Sequence, residues 1–433
     1  MFVFPLRRRS SGVVRAVLLG AALLFALPVS AQVLPAPDAE PAAGTPLSLE
    51  TALQRALKAS PQASVAAARR EALQAAQVAA GLKPQPSVDV SVENFGLPMG
   101  DLYDQFQVTG TYSQRIERGG KREARVRAVQ RDFDLVSAEA IVARLDLIRT
   151  VQQVFVEAQA AQARISIAEE RLRVARELSG EVGRRVASAK DPVFAGTRAR
   201  TGVAEAQVEV RLAVHARDAA LKRLAAYWGG SEGERIVSER DFLDLAPAAS
   251  AAEPSPADLA VYEARVARAE ALTDVQRANA ARDPTISGGP RIISTKSIGL
   301  VAGVSMPLGG KRLVEARIAE AQAEGRRIAA ELAVERYNRE RAIALAREKV
   351  EENRDEAELI RSEVVPNART TLEQVRFGYN RGFFSFADVS AAQTTLTNAR
   401  ARMVDAARRY HEARVDLDRL TGRFTALAQE AAQ

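Results

Sequence analysis

The chain has 433 residues, 47% of them hydrophobic but only 5% aromatic, a composition typical of long helices or coiled coils. Its 61 basic and 54 acidic residues include no basic run interleaved with aromatics, which argues against a nucleic-acid-binding protein. The sequence contains no cysteine, which excludes disulfides, thiolate metal ligands, thiol catalysis and an acylated N-terminal cysteine.

Residues 1–31 have the parts of a secretory signal peptide. Basic residues lie within Arg7–Arg15, an apolar run of twelve residues follows at Ala16–Leu27, and Val29–Ala31 provides a small-residue cleavage site. Twelve helical residues span roughly 18 Å and a bilayer core is about 30 Å thick, so cleavage is favoured over the alternative of an uncleaved anchor helix. Residues 32–46, rich in proline and alanine, are predicted to form a flexible arm.

Two short helices and a strand pair are predicted next. The first helix covers 47–58 with Ser48 as its cap, and the second covers 61–82 with a proline in its first turn. Hydrophobic and polar residues then alternate over 87–94 and 105–114, which is the two-residue period of strands with one apolar face. These two strands are predicted to form a hairpin.

A four-residue motif that occurs twice indicates an internal repeat. Gly-Gly-Lys-Arg stands at 119–122 and again at 309–312. Each copy follows a strand pair, 87–114 or 284–306, and begins a helical stretch of about 70 residues, which is roughly 105 Å if straight. We expect paired glycines to free the backbone where strand becomes helix, at Gly119, Gly120, Gly309 and Gly310.

Each long helical stretch is followed by a turn and a returning helix. The turns lie near residues 191 and 382, so each half of the chain contains a long antiparallel helical hairpin, 120–228 and 311–422. Pro366 is predicted to kink the second outgoing helix mildly.

The predicted organisation is a tandem duplication, with the fold class mainly α and a small β part. In order, the segments are a signal peptide (1–31), a flexible arm (32–46), a first repeat (47–228), an equatorial linker (229–256), a second repeat (257–422) and a C-terminal tail (423–433).

Four strands of about ten residues are long enough to span a bilayer as tilted barrel strands but too few to close a barrel. Open sheet edges are not tolerated in lipid. Three copies would supply twelve strands, so we predict a trimeric membrane β-barrel that continues into an α-barrel of long helical hairpins.

Over about residues 47–422, this order of elements resembles the TolC-type outer membrane efflux family. The local stretches 47–59, Ser91–Gly96 (SVENFG) and Gly382–Gln393 are similar to recurrent segments of that family. The Glu-Asn-Phe-Gly run and the Gly-Gly-Lys-Arg starts resemble its heavy-metal, CzcC-like branch. The family's usual lipidated cysteine is absent, as it is in some members.

The resemblance implies a homotrimeric exit duct of a tripartite efflux system, located in the outer membrane with its helical part in the periplasm. Its implied partners are outer membrane lipid, a periplasmic adaptor (membrane fusion) protein and an inner-membrane RND transporter, with heavy-metal cations as the exported substrate. Alternatives are a channel for drug efflux or type I secretion, a periplasmic coiled-coil adaptor, and a soluble helical scaffold.

The two hairpin turns are the first candidate site. In the first turn, Asp191 and Pro192 have ordinary turn chemistry, and in the second Gly382 supplies a permissive backbone. The turns are expected at the periplasmic tip, where exposed aromatics suggest a surface for adaptor docking. The alternative is that these residues only make the turns. The candidate docking residues are Asp191, Pro192, Arg381, Gly382, Phe383 and Phe384.

Asp388 is the second candidate, because it matches by position the acidic residues that narrow the aperture in the resembled family. A threefold axis would make a ring of carboxylates that favours cations. The alternative is a solvated helical aspartate. The next acidic position expected by the resemblance is occupied by Ala391.

No other pattern indicates chemistry. His215 and His411 are the only histidines and neither has a second histidine or a cysteine three or four residues away, so neither a metal site nor a cofactor is predicted. The basic residues of the two Gly-Gly-Lys-Arg motifs are expected near the inner leaflet interface, at Lys121, Arg122, Lys311 and Arg312. The alternative of a phosphate-binding loop is disfavoured, because the motif lacks a full P-loop and the following helix is not in a βαβ unit. No nucleophile and base can be paired, so an enzyme is not expected.

Overall fold

The computed structural model describes residues 46–93, 106–230, 237, 242–247, 253–293 and 297–431. The predicted signal peptide, nearly all of the arm, the loop between the first two strands and much of the equatorial linker lie outside these residues. Helices predominate in the described part, together with a small antiparallel sheet, as the sequence predicts. None of the described helices has an apolar stretch long enough to cross a membrane.

The described residues form nine α-helices. In chain order they are α1 (Leu49–Ala59), α2 (Gln62–Gly81), α3 (Lys121–Ala187), α4 (Val193–Ala225), α5 (Pro256–Asn279), α6 (Lys311–Leu359), α7 (Val365–Arg381), α8 (Phe386–Thr421) and α9 (Thr425–Glu430). Helix α3 alone has 67 residues, so it is about 100 Å long.

Helix α1 begins at a cap and buries one face. The Ser48 hydroxyl accepts a hydrogen bond from the Thr51 backbone N–H at 3.2 Å, which confirms Ser48 as the predicted cap. The apolar residues of α1, such as Leu53, pack against Ile148 and Phe155 of α3. Burial of each such side chain stabilises the fold by about 1.5–3 kcal/mol.

The second outgoing helix is interrupted just before its proline. Helix α6 ends at Leu359, a π-helical turn covers Ile360–Val364, and α7 then carries Pro366 in its first turn. Proline has no N–H for the ordinary helical bond and its ring crowds the carbonyl four residues earlier. The helix accommodates it by widening one turn, and α7 continues to the second hairpin turn.

The four strands are β1 (Ser87–Glu93), β2 (Gln107–Arg115), β3 (Thr285–Ile293) and β4 (Ser297–Ser305). They form one antiparallel sheet in the order β1-β2-β3-β4. The two predicted hairpins are therefore joined through β2 and β3, while β1 and β4 are the outer strands. Each outer strand leaves one row of backbone groups unpaired in a single chain.

One face of this sheet is apolar across all four strands. The register places Val90 beside Gly110, Val108 beside Ile292, and Pro290 beside Leu300. Several of these side chains are largely open, with Leu300 88% and Ile298 78% exposed. The residues of this apolar face are Val88, Val90, Val92, Val108, Tyr112, Ile286, Ile292, Ile298, Leu300, Ala302 and Val304.

Strand β3 contains two residues that are poor strand formers. A Cβ on Gly289 would lie 1.9 Å from the Gly110 carbonyl oxygen, so only glycine allows β2 and β3 to approach at this point. Pro290 has no N–H to donate to the ladder. The two residues thus weaken the strand signal in the sequence without preventing the pairing.

A buried ion pair joins the helices away from the sheet. The Arg419 guanidinium of α8 binds both oxygens of Asp258 in α5, at 2.6 and 2.9 Å. Its Nε donates to Asp146 of α3 at 2.7 Å, and Asp258 also lies 3.5 Å from Arg339 of α6. Removing one partner of such a buried pair costs about 3–5 kcal/mol, because the remaining charge is left uncompensated.

The predicted linker and tail contain packed residues. Phe242 is buried and packs with Val156 of α3 and Val404 of α8. Residues 425–430, predicted as part of a tail, form α9, in which Ala428 is fully buried against the α1 and α3 cluster. The local sequence does not predict these contacts, because the residues that Phe242 and Ala428 pack against are distant in the chain.

Candidate functional site

The first Gly-Gly-Lys-Arg motif joins the sheet to the helices around a buried carboxylate. Asp283 precedes β3 and its side chain is 1% exposed. It lies 2.7 Å from the Lys121 ammonium, accepts the Arg118 backbone N–H at 3.0 Å, and accepts Arg115 Nη2 at 2.8 Å. Burial raises the pKa of the Asp283 carboxyl, but these hydrogen bonds bring that pKa below its usual value.

Both motifs have the same backbone geometry at the strand-to-helix turn. Gly119 and Gly120 have φ values of 75° and 70°, and Gly309 and Gly310 have 89° and 84°. Two successive left-handed residues favour glycine, because other L-residues are strained there. Each turn leads directly into α3 or α6.

The first hairpin turn is tied to the second by a charged cluster. Arg185 at the end of α3 holds both oxygens of Asp191, at 3.0 and 3.1 Å. The Tyr379 hydroxyl of α7 donates to the same carboxylate at 2.5 Å, and Arg185 donates to the Tyr379 carbonyl at 3.0 Å. The guanidinium also lies 4.5 Å from the centre of the Tyr379 ring. We call these three residues the tip cluster.

The tip cluster shifts the pKa values of its members. The hydrogen bonds from Arg185 and Tyr379 hold the pKa of Asp191 below its usual value. Burial, and then the hydrogen bond to Asp191, raise the pKa of the Tyr379 hydroxyl. The cluster is therefore complete from mildly acidic to alkaline pH, with aspartate ionised and tyrosine protonated.

The second turn is closed by glycine and an aromatic ring. Gly382 ends α7 with φ 85°, and the Phe383 backbone N–H donates to the Gly378 carbonyl at 2.9 Å. The Phe384 ring covers Gly378, where a Cβ would lie 2.3 Å from the ring. The Arg381 guanidinium stacks 4.1 Å from the centre of the Phe377 ring.

Apolar side chains are exposed on both turns. Phe383 is 77% exposed and Phe384 45%, while Val193 and Phe194, directly after Pro192, are 77% and 69% exposed. Phe383 and Phe384 of the second turn are among the docking residues predicted from the sequence, whereas Val193 and Phe194 of the first turn are not. The sequence contains a signal for Val193 and Phe194, because an apolar pair follows the turn in each half of the chain.

Asp388 is exposed and caps α8. One of its oxygens accepts hydrogen bonds from the Ser385 backbone N–H at 2.8 Å and the Ser385 hydroxyl at 2.7 Å, and its own N–H donates to that hydroxyl. These bonds hold the pKa of Asp388 below its usual value. The Ser385-Phe-Ala-Asp388 spacing matches a capping box, a signal that sequence reasoning missed.

His411 and two aromatic residues just after the end of α4 take part in packing. His411 Nε2 lies 2.9 Å from the Phe242 carbonyl oxygen, and its ring stacks on Phe242. Tyr227 and Trp228 pack at the edge of the α1 and α3 cluster. In the part of the chain that the structure describes, no group of three or more His, Cys, Asp or Glu side chains is arranged to hold a metal ion.

Comparison with known proteins identifies related sequences. The family model described as "Outer membrane efflux protein" matches residues 52–230. The cobalt-zinc-cadmium resistance protein CzcC of Cupriavidus metallidurans is 28% identical over 388 residues, which cover 88% of this chain and 91% of that protein. The nickel and cobalt resistance protein CnrC of the same organism is 30% identical over 286 residues, 63% of this chain and 67% of that protein.

Solved structures share the fold at lower identity. The outer membrane protein VceC of Vibrio cholerae superposes with a TM-score of 0.64 and 18% identity, covering 86% of this chain and 96% of that one. The long helices and the small sheet of this chain thus form a fold that VceC shares.

We predict that Tyr379→Phe loosens the tip. The change removes a hydrogen bond to a charged group, worth about 1.5–3 kcal/mol, so hydrogen exchange in the turn segments should become about tenfold faster or more. The contribution of Asp191 is complete above its ordinary pKa of 3.8 and is lost as pH falls through its lower folded value. The difference between variant and wild type should therefore shrink in acid. Exchange measured by mass spectrometry on peptides from both turns checks this.

The matched control is Tyr337→Phe, which removes the hydroxyl of a tyrosine that is 59% exposed on α6. Exchange at the turns should not change in the control. Equal exchange in wild type and Tyr379→Phe would show that the tip cluster does not hold the turns together.

Proposed function

Because the chain belongs to the outer membrane efflux protein family, we propose that it is the exit duct of a tripartite RND-type efflux system that exports heavy-metal cations. One observation carries the channel part of this proposal. A small sheet exposes an apolar face across four strands and leaves the outer edges of β1 and β4 unpaired. In water such a face is unfavourable, whereas in lipid it is the expected outer surface of barrel strands.

The edges of the sheet favour a homotrimer. Unpaired backbone groups are costly inside a bilayer, so β1 and β4 need partners there. A threefold arrangement pairs β4 of one copy with β1 of the next and closes a barrel of twelve strands. The α-helices that leave the periplasmic ends of the strands would then continue the barrel as a helical tube in the periplasm.

The hairpin turns are proposed to dock the periplasmic adaptor. Exposed phenylalanines and a valine lie on two neighbouring turns that the tip cluster holds together. Aromatic side chains on a rigid support are typical anchors of protein interfaces. The surface comprises Asp191, Pro192, Val193, Phe194, Arg381, Gly382, Phe383 and Phe384.

Asp388 is proposed to line the narrow end of the duct. In a trimer its exposed carboxylate would form a ring close to the tip, and a ring of like charge favours counter-ions. Because its pKa is held low, the ring would stay ionised at neutral pH. The capping of α8 by the same carboxylate also holds its position.

The cargo is proposed from the relatives. Those reported above are named for resistance to cobalt, zinc, cadmium and nickel, and CzcC spans most of both chains. We propose that this chain passes heavy-metal cations such as cobalt, zinc, cadmium or copper, of which the first three occur in the names of these relatives.

Deletion of the gene should lower tolerance to cobalt, zinc and cadmium, because the cations lose their route across the outer membrane. Growth inhibition measured across a metal series and a drug series checks this, with the wild-type gene supplied in trans as the control. Unchanged metal tolerance together with raised sensitivity to organic drugs would assign the duct to drug efflux instead.

Phe383→Asp should lower metal tolerance to the level of the gene deletion while leaving the amount of trimer in the outer membrane unchanged. A charge on the docking surface opposes burial against the adaptor. The control is Leu212→Asp, at a position 61% exposed on α4 and far along the hairpin from the turn. Full tolerance in cells carrying Phe383→Asp would remove this residue from the docking surface.

Asp388→Asn should lower the preference of the channel for cations over anions, measured from reversal potentials in planar bilayers. The amide keeps an oxygen that can accept the Ser385 hydrogen bonds but carries no charge. Ser385→Ala is the matched control, because it weakens the cap and keeps the charge. An unchanged preference in Asp388→Asn would place this carboxylate outside the conducting path.

A further inference from the structure

The two Gly-Gly-Lys-Arg motifs have the same backbone and different surroundings. A Cβ on Gly119 would lie 2.3 Å from the Ala281 Cβ, so the first motif is pressed against the chain between α5 and β3. Among the residues that the structure describes, nothing lies within 4 Å of such a Cβ on Gly309 or Gly310. The second motif thus has the same backbone as the first but no close neighbour in the described part of its own chain.

The two lysines differ in the same way. The Lys121 side chain is 7% exposed and paired with buried Asp283 at 2.7 Å. The Lys311 side chain is 86% exposed, and its ion-pair partner is Glu315 on the next turn of α6, at 3.8 Å. A lysine that is buried and paired in one repeat is thus open to solvent in the other.

The sheet order identifies the missing neighbour. The first motif follows β2, and it contacts the segment before β3 because β2 and β3 are paired. The second motif follows β4, whose outer edge is free, and the other free edge belongs to β1. Within one chain these edges lie on opposite sides of the sheet. Only a second copy can bring the segment before β1, residues 82–86, to the second motif.

Apolar residues support this contact on both sides. Leu82 and Val78, at the end of α2, are 61% and 67% exposed. Leu308 and Leu313, which flank the second motif, are 83% and 57% exposed. Helix α2 has no buried residue within one chain. The two surfaces would therefore cover each other's apolar side chains.

We infer that Lys311 of one copy packs against residues 82–86 of the next copy, a contact that we call the seam between copies. The corresponding contact within one chain, between Lys121 and the segment before β3, is the internal seam. The seam between copies lacks the buried carboxylate that Asp283 provides in the internal seam. The segment 82–86 reads Leu-Lys-Pro-Gln-Pro, so it offers Lys83 and no acidic side chain. The seam between copies then has a lysine on each side, whereas the internal seam has an ion cluster. This inference rests on the trimer in the proposed function and makes the junction between copies the electrostatically weaker one.

Cross-linking tests the placement. The chain has no cysteine, so Lys83→Cys with Lys311→Cys introduces the only thiols. A short bis-maleimide should convert this double variant in membranes into covalent dimers and closed trimers on a denaturing gel. Each single variant, and Lys83→Cys combined with Arg327→Cys further along α6, should remain monomeric. Monomers alone from the Lys83/Lys311 pair, in a protein that is trimeric before denaturation, would overturn the placement.

Carboxylates added to residues 82–86 test whether Lys311 lacks a negatively charged partner at the contact between copies. Lys83→Asp or Gln85→Asp should raise the temperature at which the detergent-resistant trimer dissociates by about 3 °C or more, and Lys311→Ala should cancel the gain. Lys83→Asn measures the effect of removing the charge alone. No gain from either aspartate would overturn the inference while leaving the trimer intact. A wild-type protein that is monomeric in outer membrane extracts would instead refute the proposed function.

Discussion

A single buried carboxylate connects the sheet of this protein to its helices. Asp283 accepts hydrogen bonds from β2, from the turn that follows β2 and from the first residue of α3. A buried charge is tolerated only when it is paired and fully hydrogen-bonded, so these partners are held in one arrangement. The end of β2, the turn and the start of the longest helix are thus held against the segment before β3.

At the opposite ends of the long helices, a carboxylate is again held by several hydrogen-bond partners. The tip cluster joins the end of α3 to α7 through Arg185, Asp191 and Tyr379, and Tyr379 is 188 residues from Asp191 in sequence. Between the two ends, the helices pack through small and aliphatic side chains. The buried ion pair of Arg419 and Asp258, with Asp146 and Arg339 beside it, joins α3, α5, α6 and α8. A few polar contacts thus link long helices that otherwise pack through weakly apolar faces, and apolar side chains remain exposed on the sheet, at the turns and along the helices.

Local patterns predicted the elements well, since each depends on neighbours in sequence. Two-residue alternation located the first two strands, Ser48 located the start of α1, and the Gly-Gly-Lys-Arg motif located the start of α3. The helical part of the supposed tail and the buried Phe242 were missed, because each is stabilised by residues far away in the chain. The pairing of β2 with β3, which joins the two hairpins into one sheet, also left no local signal.

The sequence by itself determined the mainly helical class, the strand pairs, the duplicated Gly-Gly-Lys-Arg turns and the family resemblance. These follow from periodicity, glycine conformation and capping, which act over a few residues. Only the tertiary structure decided that Asp283 pairs with Lys121 while Lys311 stays open, and that Tyr379 holds Asp191. The physical reason is that a buried charge must find its partner in space, and spatial neighbours are set by strand order and helix packing rather than by spacing along the chain.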